Sequence, residues 1–132
     1  MRYLGIDFGT KKVGIALSDE AGAMGFPHAI LTNDGRLIDE VLALIERKDV
    51  GAVVIGESRD YAGNENKVAK VAKEFALLLE RRSGLTVHFE PEMLTTQEAR
   101  RDFEGVRVPG SPDVDASAAA LILTSFLSRT HA

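Results

Sequence analysis

The sequence has no cysteine and no tryptophan. The lack of cysteine excludes a disulfide framework, thiolate-ligated zinc, iron–sulfur centres and a cysteine nucleophile. No apolar run approaches the ~20 residues a membrane helix needs. The opening Met1-Arg2-Tyr3-Leu4-Gly5 lacks the apolar core and small-residue cleavage site of a secretory signal. A cytoplasmic protein with no membrane contact is the expectation. Proline is scarce, four residues in 132. Two of them fall in Glu104–Pro112, the loosest stretch of the chain and a loop by composition. An excess of basic charge is also missing, with 16 Lys and Arg against 20 Asp and Glu, a net charge of −4. Bulk electrostatic binding of nucleic acid is thereby disfavoured, whereas a local basic patch or bound cations can still reverse the field in one cleft.

What remains is an ordinary globular composition, 45% hydrophobic and 27% charged. Such a chain reads as one domain over residues 1–132. A domain of this size buries roughly two-thirds of the surface its unfolded chain exposes, enough to fold without a staple.

Tyr3 to Phe8 alternates Leu4, Ile6 and Phe8 against Tyr3, Gly5 and Asp7, a strand period. Gly9-Thr10-Lys11-Lys12 turns the chain into a second alternating strand, Val13 to Ser18; a further turn at Asp19–Gly22 leads to a third, Phe26 to Leu31. Leu37, Val41, Leu44 and Ile45 recur at helical spacing, with Asn33 or Asp34 placed to cap. Gly51–Gly56 is a compact apolar run, expected of a strand buried on both faces. Val68, Val71, Ala72, Phe75, Leu78 and Leu79 predict an amphipathic helix closed by Gly84. Leu85 to Phe89 predicts a fifth strand, Thr95-Thr96-Gln97-Glu98 has the spacing of a capping box, and Val114 to Leu127 is apolar almost all round, as a buried helix is. A three-strand antiparallel meander followed by crossovers to two parallel strands gives an α/β mixed five-stranded sheet with helices on both faces.

Three acids stand where acids are expensive: Asp7 near the end of the first strand, Glu92 after the fifth, and Asp115 in the first turn of the apolar C-terminal helix. A carboxylate near a core costs several kcal/mol unless it is paired or binds metal. Converging carboxylates suit Mg²⁺, which takes a few of them together with water and phosphate oxygens. Each also has a plain reading. Asp7 can shape the turn with Thr10, Glu92 can be a solvated loop acid, and Asp115 can serve the positive end of its helix, a role for which Asp113 competes. Periodicity alone does not bring the three together.

Asp7-Phe8-Gly9-Thr10-Lys11-Lys12-Val13-Gly14 resembles the opening of the YqgF family, RNase H-fold proteins similar to Holliday-junction resolvases and also described as pre-16S rRNA nucleases. Val53–Gly56 resembles the family's fourth strand, Glu92–Ala99 its acid and double-threonine motif, and Asp115–Leu123 its final helix. The resemblance spans nearly the whole chain, with the segments in order. It implies an RNase H-like fold, with Asp7, Glu92 and Asp115 as catalytic acids and ligands for Mg²⁺ or Mn²⁺, and Asp113 as an outer ligand. It implies hydrolysis of a phosphodiester with two such ions about 4 Å apart. Gly9, Thr10, Lys11, Lys12, Thr96 and Arg100 become candidates for contact with phosphate, Thr96 because a helix N-terminus attracts anions. The partner would be structured RNA or branched DNA, met by a monomer or a homodimer.

Three departures stand out. The family commonly carries Leu-Pro-x-Asn-x-x-Gly after its fourth strand, where this chain has Glu57-Ser58-Arg59-Asp60-Tyr61-Ala62-Gly63. The dense Lys/Arg run often found before the last helix is reduced to Arg107, and Pro91 and Met93 flank Glu92 where an acid and a basic residue are common. These favour weaker or more selective nucleic-acid binding, and keep open a non-catalytic binding module on the same fold. An ATP-binding reading of Asp7-x-Gly9-Thr10 lacks the second domain such proteins use. No P-loop or serine-hydrolase elbow is present, and His28, His88 and His131 show no ligand spacing.

Overall fold

The computed structural model describes residues 1–57, 67–91 and 113–130; at positions 57, 67, 68 and 113–115 it describes the backbone. Its elements are β1 (Arg2–Phe8), β2 (Lys12–Ser18), β3 (Gly25–Thr32), α1 (Leu37–Arg47), β4 (Val50–Glu57), α2 (Lys67–Ser83), β5 (Val87–Pro91) and α3 (Asp113–Thr130). The five strands form one sheet in the order β3-β2-β1-β4-β5. β1 pairs antiparallel with β2, and β2 antiparallel with β3. β4 lies parallel to β1 and β5 parallel to β4. The expected meander and crossovers are therefore present, with β1 at the centre. Glu104–Pro112 and the helix expected from Thr95 lie outside the described residues.

Alternation along β1 sends Leu4, Ile6 and Phe8 to one face of the sheet. There they pack with Val13, Ile15, Val53 and Ile55, under Leu37, Val41 and Leu44 of α1 and Ala72, Ala76 and Leu79 of α2. The other face carries Ala16 and Val54 against Ala119, Ile122, Leu123, Phe126 and Leu127 of α3, with Tyr3 alongside. β4 is apolar from Val50 to Gly56 because it is covered on both faces: Val53, Val54 and Ile55 are all fully buried. α3 reaches the sheet closely where β1 has no side chain. A Cβ on Gly5 would lie 2.9 Å from the Leu123 Cβ and 3.1 Å from the Ala119 carbonyl oxygen.

Three local expectations change. Neither Asn33 nor Asp34 caps α1, whose N-cap is Arg36 without a side-chain bond. Asp34 instead accepts from the Arg36 N–H, 2.9 Å, and Asn33 reaches across to another loop. β5 begins at Val87 rather than Leu85, because the Leu85 N–H is taken by Ser83 Oγ. On α2 the buried side is Ala69, Ala72, Ala76 and Leu79, while Val71 and Leu78 are exposed. The contact stripe is lined mostly by small alanines, and Val71, Leu77 and Leu78 fall outside it. Gly84 closes α2 as expected, at φ +76° with its N–H donating to the Glu80 carbonyl, 2.9 Å.

Candidate active site

Asp7 lies one residue from the C-terminal end of the central strand. Its neighbours Ile6 and Phe8 enter the core under α1 and α2, so alternation puts Asp7 on the α3 face, half-buried. Its partner on β2 is Gly14. On β4, Ile55 pairs with Ile6 and is followed by Gly56, so the position beside Asp7 on that strand is also glycine. The carboxylate thus stands between two strands that offer no side chain at its level.

The turn after β1 is tight and tied down. A Cβ on Gly9 would fall 2.4 Å from the Lys12 carbonyl oxygen, so only glycine fits. Asn33 Nδ2 donates to the Gly9 carbonyl, 2.7 Å, and the Asn33 N–H donates to the Lys11 carbonyl, 2.8 Å. Thr10, Lys11 and Lys12 are exposed along this turn. Local pattern does not reveal this role of Asn33, because its acceptor lies 24 residues away.

β4 and β5 run parallel to β1, so all three strands finish at the same edge. β5 ends at that edge with Pro91; the next residue in the chain, Glu92, lies outside the described residues, as do Thr96, Arg100 and Arg101. Asp113 and Asp115 fall in the first turn of α3. The partner of β1 on this helix changes from Phe126 at Tyr3 to Leu123 and Ala119 at Gly5, so α3 runs against β1. That direction carries the first turn of α3 toward the Asp7 end of the strand. Among the four acids expected to hold metal, Asp7 is the one whose side chain is described; among the described residues no three ligating side chains form a metal cluster.

A further carboxylate was not anticipated. Glu90 of β5 is 2% exposed and lies level with Gly56, on the α3 face. Ser125 Oγ donates to its Oε2, 2.9 Å, and Arg129 pairs with its Oε1. The Arg129 guanidinium also lies over the Phe126 ring, which packs on His88 with centroids 4.9 Å apart. The signal was present in Val87-His88-Phe89-Glu90, where period two puts His88 and Glu90 on one face, but reading it requires knowing that α3 covers that face.

Titration elsewhere is set by local contacts. Asp19, in the turn between β2 and β3, is held below the usual carboxylate range by the Ala23 and Met24 N–H groups. Burial, then Lys48 and Arg47, push His28 below its ordinary value, so it is neutral at pH 7. Neither belongs to the Asp7 edge. Among the described residues no helix is long and apolar enough to cross a membrane.

A family model described as RuvX, Holliday junction resolvase, matches residues 1–129. A protein of Nitratidesulfovibrio vulgaris named "Putative pre-16S rRNA nuclease" is 36% identical, over 97% of this chain and 94% of its own. One of the same name from Anaeromyxobacter is 34% identical over the full length of both. Among solved structures, Thermus thermophilus RuvC superposes with a TM-score of 0.64 at 20% identity, covering 99% of this chain and 97% of that one. The fowlpox virus Holliday junction resolvase gives 0.58 at 15%, covering 98% and 99%. These two likenesses establish a resolvase-type α/β fold.

Proposed function

The chain belongs to the RuvX family of Holliday junction resolvases, a family of nucleases, and on that premise we propose that it is a divalent-metal-dependent endonuclease whose metal-holding acids are Asp7, Glu92 and Asp115. The observation that carries this reading is the setting of Asp7: a carboxylate at the end of the central strand, between Gly14 and Gly56, at the edge where β5 ends and toward which the first turn of α3 runs. The donor set fits Mg²⁺ or Mn²⁺. It is all carboxylate oxygen, cysteine is absent, and the residues level with Asp7 on the two neighbouring strands are glycines. Asp113 is an outer ligand in this reading.

A bound divalent ion supplies charge neutralisation at the phosphate and an activated water. The protein's own part is to orient. Gly9 lets the turn close, Asn33 holds it, and Thr10, Lys11 and Lys12 face outward to meet the nucleic-acid backbone. Thr96 and Arg100, outside the described residues, are further candidates for phosphate contact in this reading. Residues 1–132 act as one nuclease domain in the cytoplasm.

The named relatives, at 34–36% identity over 97% or more of the chain, favour precursor 16S rRNA as substrate, and in this reading its 5′ end is where the protein acts. The family description favours branched DNA as the second reading. Offering both substrates to the purified protein with Mn²⁺ or Mg²⁺ separates them. Cleavage is expected to fall at least 10²-fold in Asp7→Asn, as when a group that stabilises the transition state is removed. Circular dichroism and melting temperature should stay near the parent's. Undiminished cleavage by Asp7→Asn would remove the assignment, and binding without cleavage by the parent would favour the non-catalytic module.

A further inference from the structure

Glu90 is a charge buried in an apolar setting. Its side chain is 3% exposed, held by Ser125 Oγ and by Arg129, whose own side chain is 60% exposed. Such a pair is a poor source of stability. Desolvating the carboxylate offsets much of the attraction, and an apolar residue of similar volume often does as well or better. Its geometry does supply register. The carboxylate ties the last turns of α3 to β5 two residues before Glu92, and α3 is the helix that opens with Asp113 and Asp115. Beside these bonds His88 stacks on the Phe126 ring, centroids 4.9 Å apart, a contact that by itself fixes register less sharply than directed hydrogen bonds do. A helix moves as a unit, so a shift at Ser125 is carried to its first turn.

We propose that Glu90 is a positioning residue for the metal-holding acids: its bonds to Ser125 and Arg129 set the register between β5, which delivers Glu92, and α3, which delivers Asp115. This deepens the reading above and rests on it. Groups that orient metal ligands typically change metal affinity by about 10–100-fold when removed. The same loss is expected here, in a residue that touches neither metal nor substrate.

The test is direct Mn²⁺ binding to the full chain, followed by calorimetry and by the spectroscopic signal of free Mn²⁺, on the parent, Glu90→Gln, Glu90→Met, Ser125→Ala and Asp7→Asn. Glu90→Gln and Glu90→Met are expected to melt within a few degrees of the parent yet bind Mn²⁺ at least about tenfold more weakly. In the cleavage assay the Mn²⁺ midpoint should rise by the same factor, with most of the rate recovered at saturating Mn²⁺. Unchanged Mn²⁺ affinity in both Glu90 variants would overturn the proposal, and so would a drop in melting temperature with affinity intact. If Glu90→Met fails to fold, Glu90→Gln and Ser125→Ala decide by the same criterion. Asp7→Asn keeps the two claims apart: parent-like Mn²⁺ binding there overturns the metal-site reading, whereas loss there with parent-like Glu90 variants overturns the positioning role alone.

Discussion

Asn33 restrains both ends of the turn that follows Asp7, its side-chain amide on the Gly9 carbonyl and its own N–H on the Lys11 carbonyl. Asn33→Ala removes the first bond and keeps the second, at a cost of about 1 kcal/mol in stability. Because Lys11 and Lys12 ride on this turn, the expected kinetic signature is a rise in KM with kcat nearly unchanged. One misplaced phosphate contact worth about 1 kcal/mol corresponds to a roughly fivefold change in KM. A fall in kcat at constant KM would show instead that the turn bears on the chemical step. At the other end of the sheet, Asp19 accepts from the Ala23 and Met24 N–H groups at 2.8 and 3.2 Å, which lowers its pKa from 3.8. A lowered folded value means that its stabilising effect is present above the unfolded pKa and is lost as pH falls through the folded one. Asp19→Asn should therefore reduce stability at neutral pH and flatten the acid limb of the stability curve, as urea melts at pH 7 and below pH 4 would show.

At the scale of elements, the fit of α3 on the sheet depends on Gly5. Adding a methyl group there would press on the Leu123 Cβ and the Ala119 carbonyl, both fixed to the helix backbone. Gly5→Ala is expected to cost about 1–3 kcal/mol, the range for overpacking a well-filled core. It should also weaken Mn²⁺ binding by lifting the helix that carries Asp115, which calorimetry would detect. A gain in stability would mean that α3 yields freely. The strands and helices were legible because their burial follows period: Leu4, Ile6 and Phe8 alternate, and Val41 and Leu44 keep helical spacing. Asn33 departs from the capping pattern because capping is a local rule, and this side chain bonds a distant acceptor. Val71 and Leu78 keep the helical period yet stay exposed, because period alone does not set the width of the contact stripe. Glu90 was hidden because an acid in a strand signals nothing until its face is known to be covered. Asp7, Glu92 and Asp115 stood out as costly acids, but grouping them took a resemblance, since no periodicity links residues so far apart in the chain.

For the whole molecule, a net charge of −4 must be reconciled with a polyanionic substrate. Repulsion at long range is screened beyond about 10 Å at 0.1 M salt, so local charge decides. Beside the Asp7 carboxylate, the cations on the following turn are Lys11 and Lys12, exposed where Asn33 and Gly9 hold the chain in place. If these lysines neutralise phosphates, each contributes about one unit to the slope of log affinity against log salt. Binding of the precursor-rRNA fragment, measured by anisotropy from 50 to 200 mM salt with Ca²⁺ in place of Mg²⁺ or Mn²⁺, should lose about one unit of slope in Lys11→Gln and about two in the double variant with Lys12→Gln. The loss should be equal for RNA and for a four-way DNA junction, because phosphate contacts carry no sequence. A slope that stays at the parent value while affinity falls would place the lysines in the architecture of the turn, and would leave binding of the anionic strand to the metal ions and to the segment after Glu92.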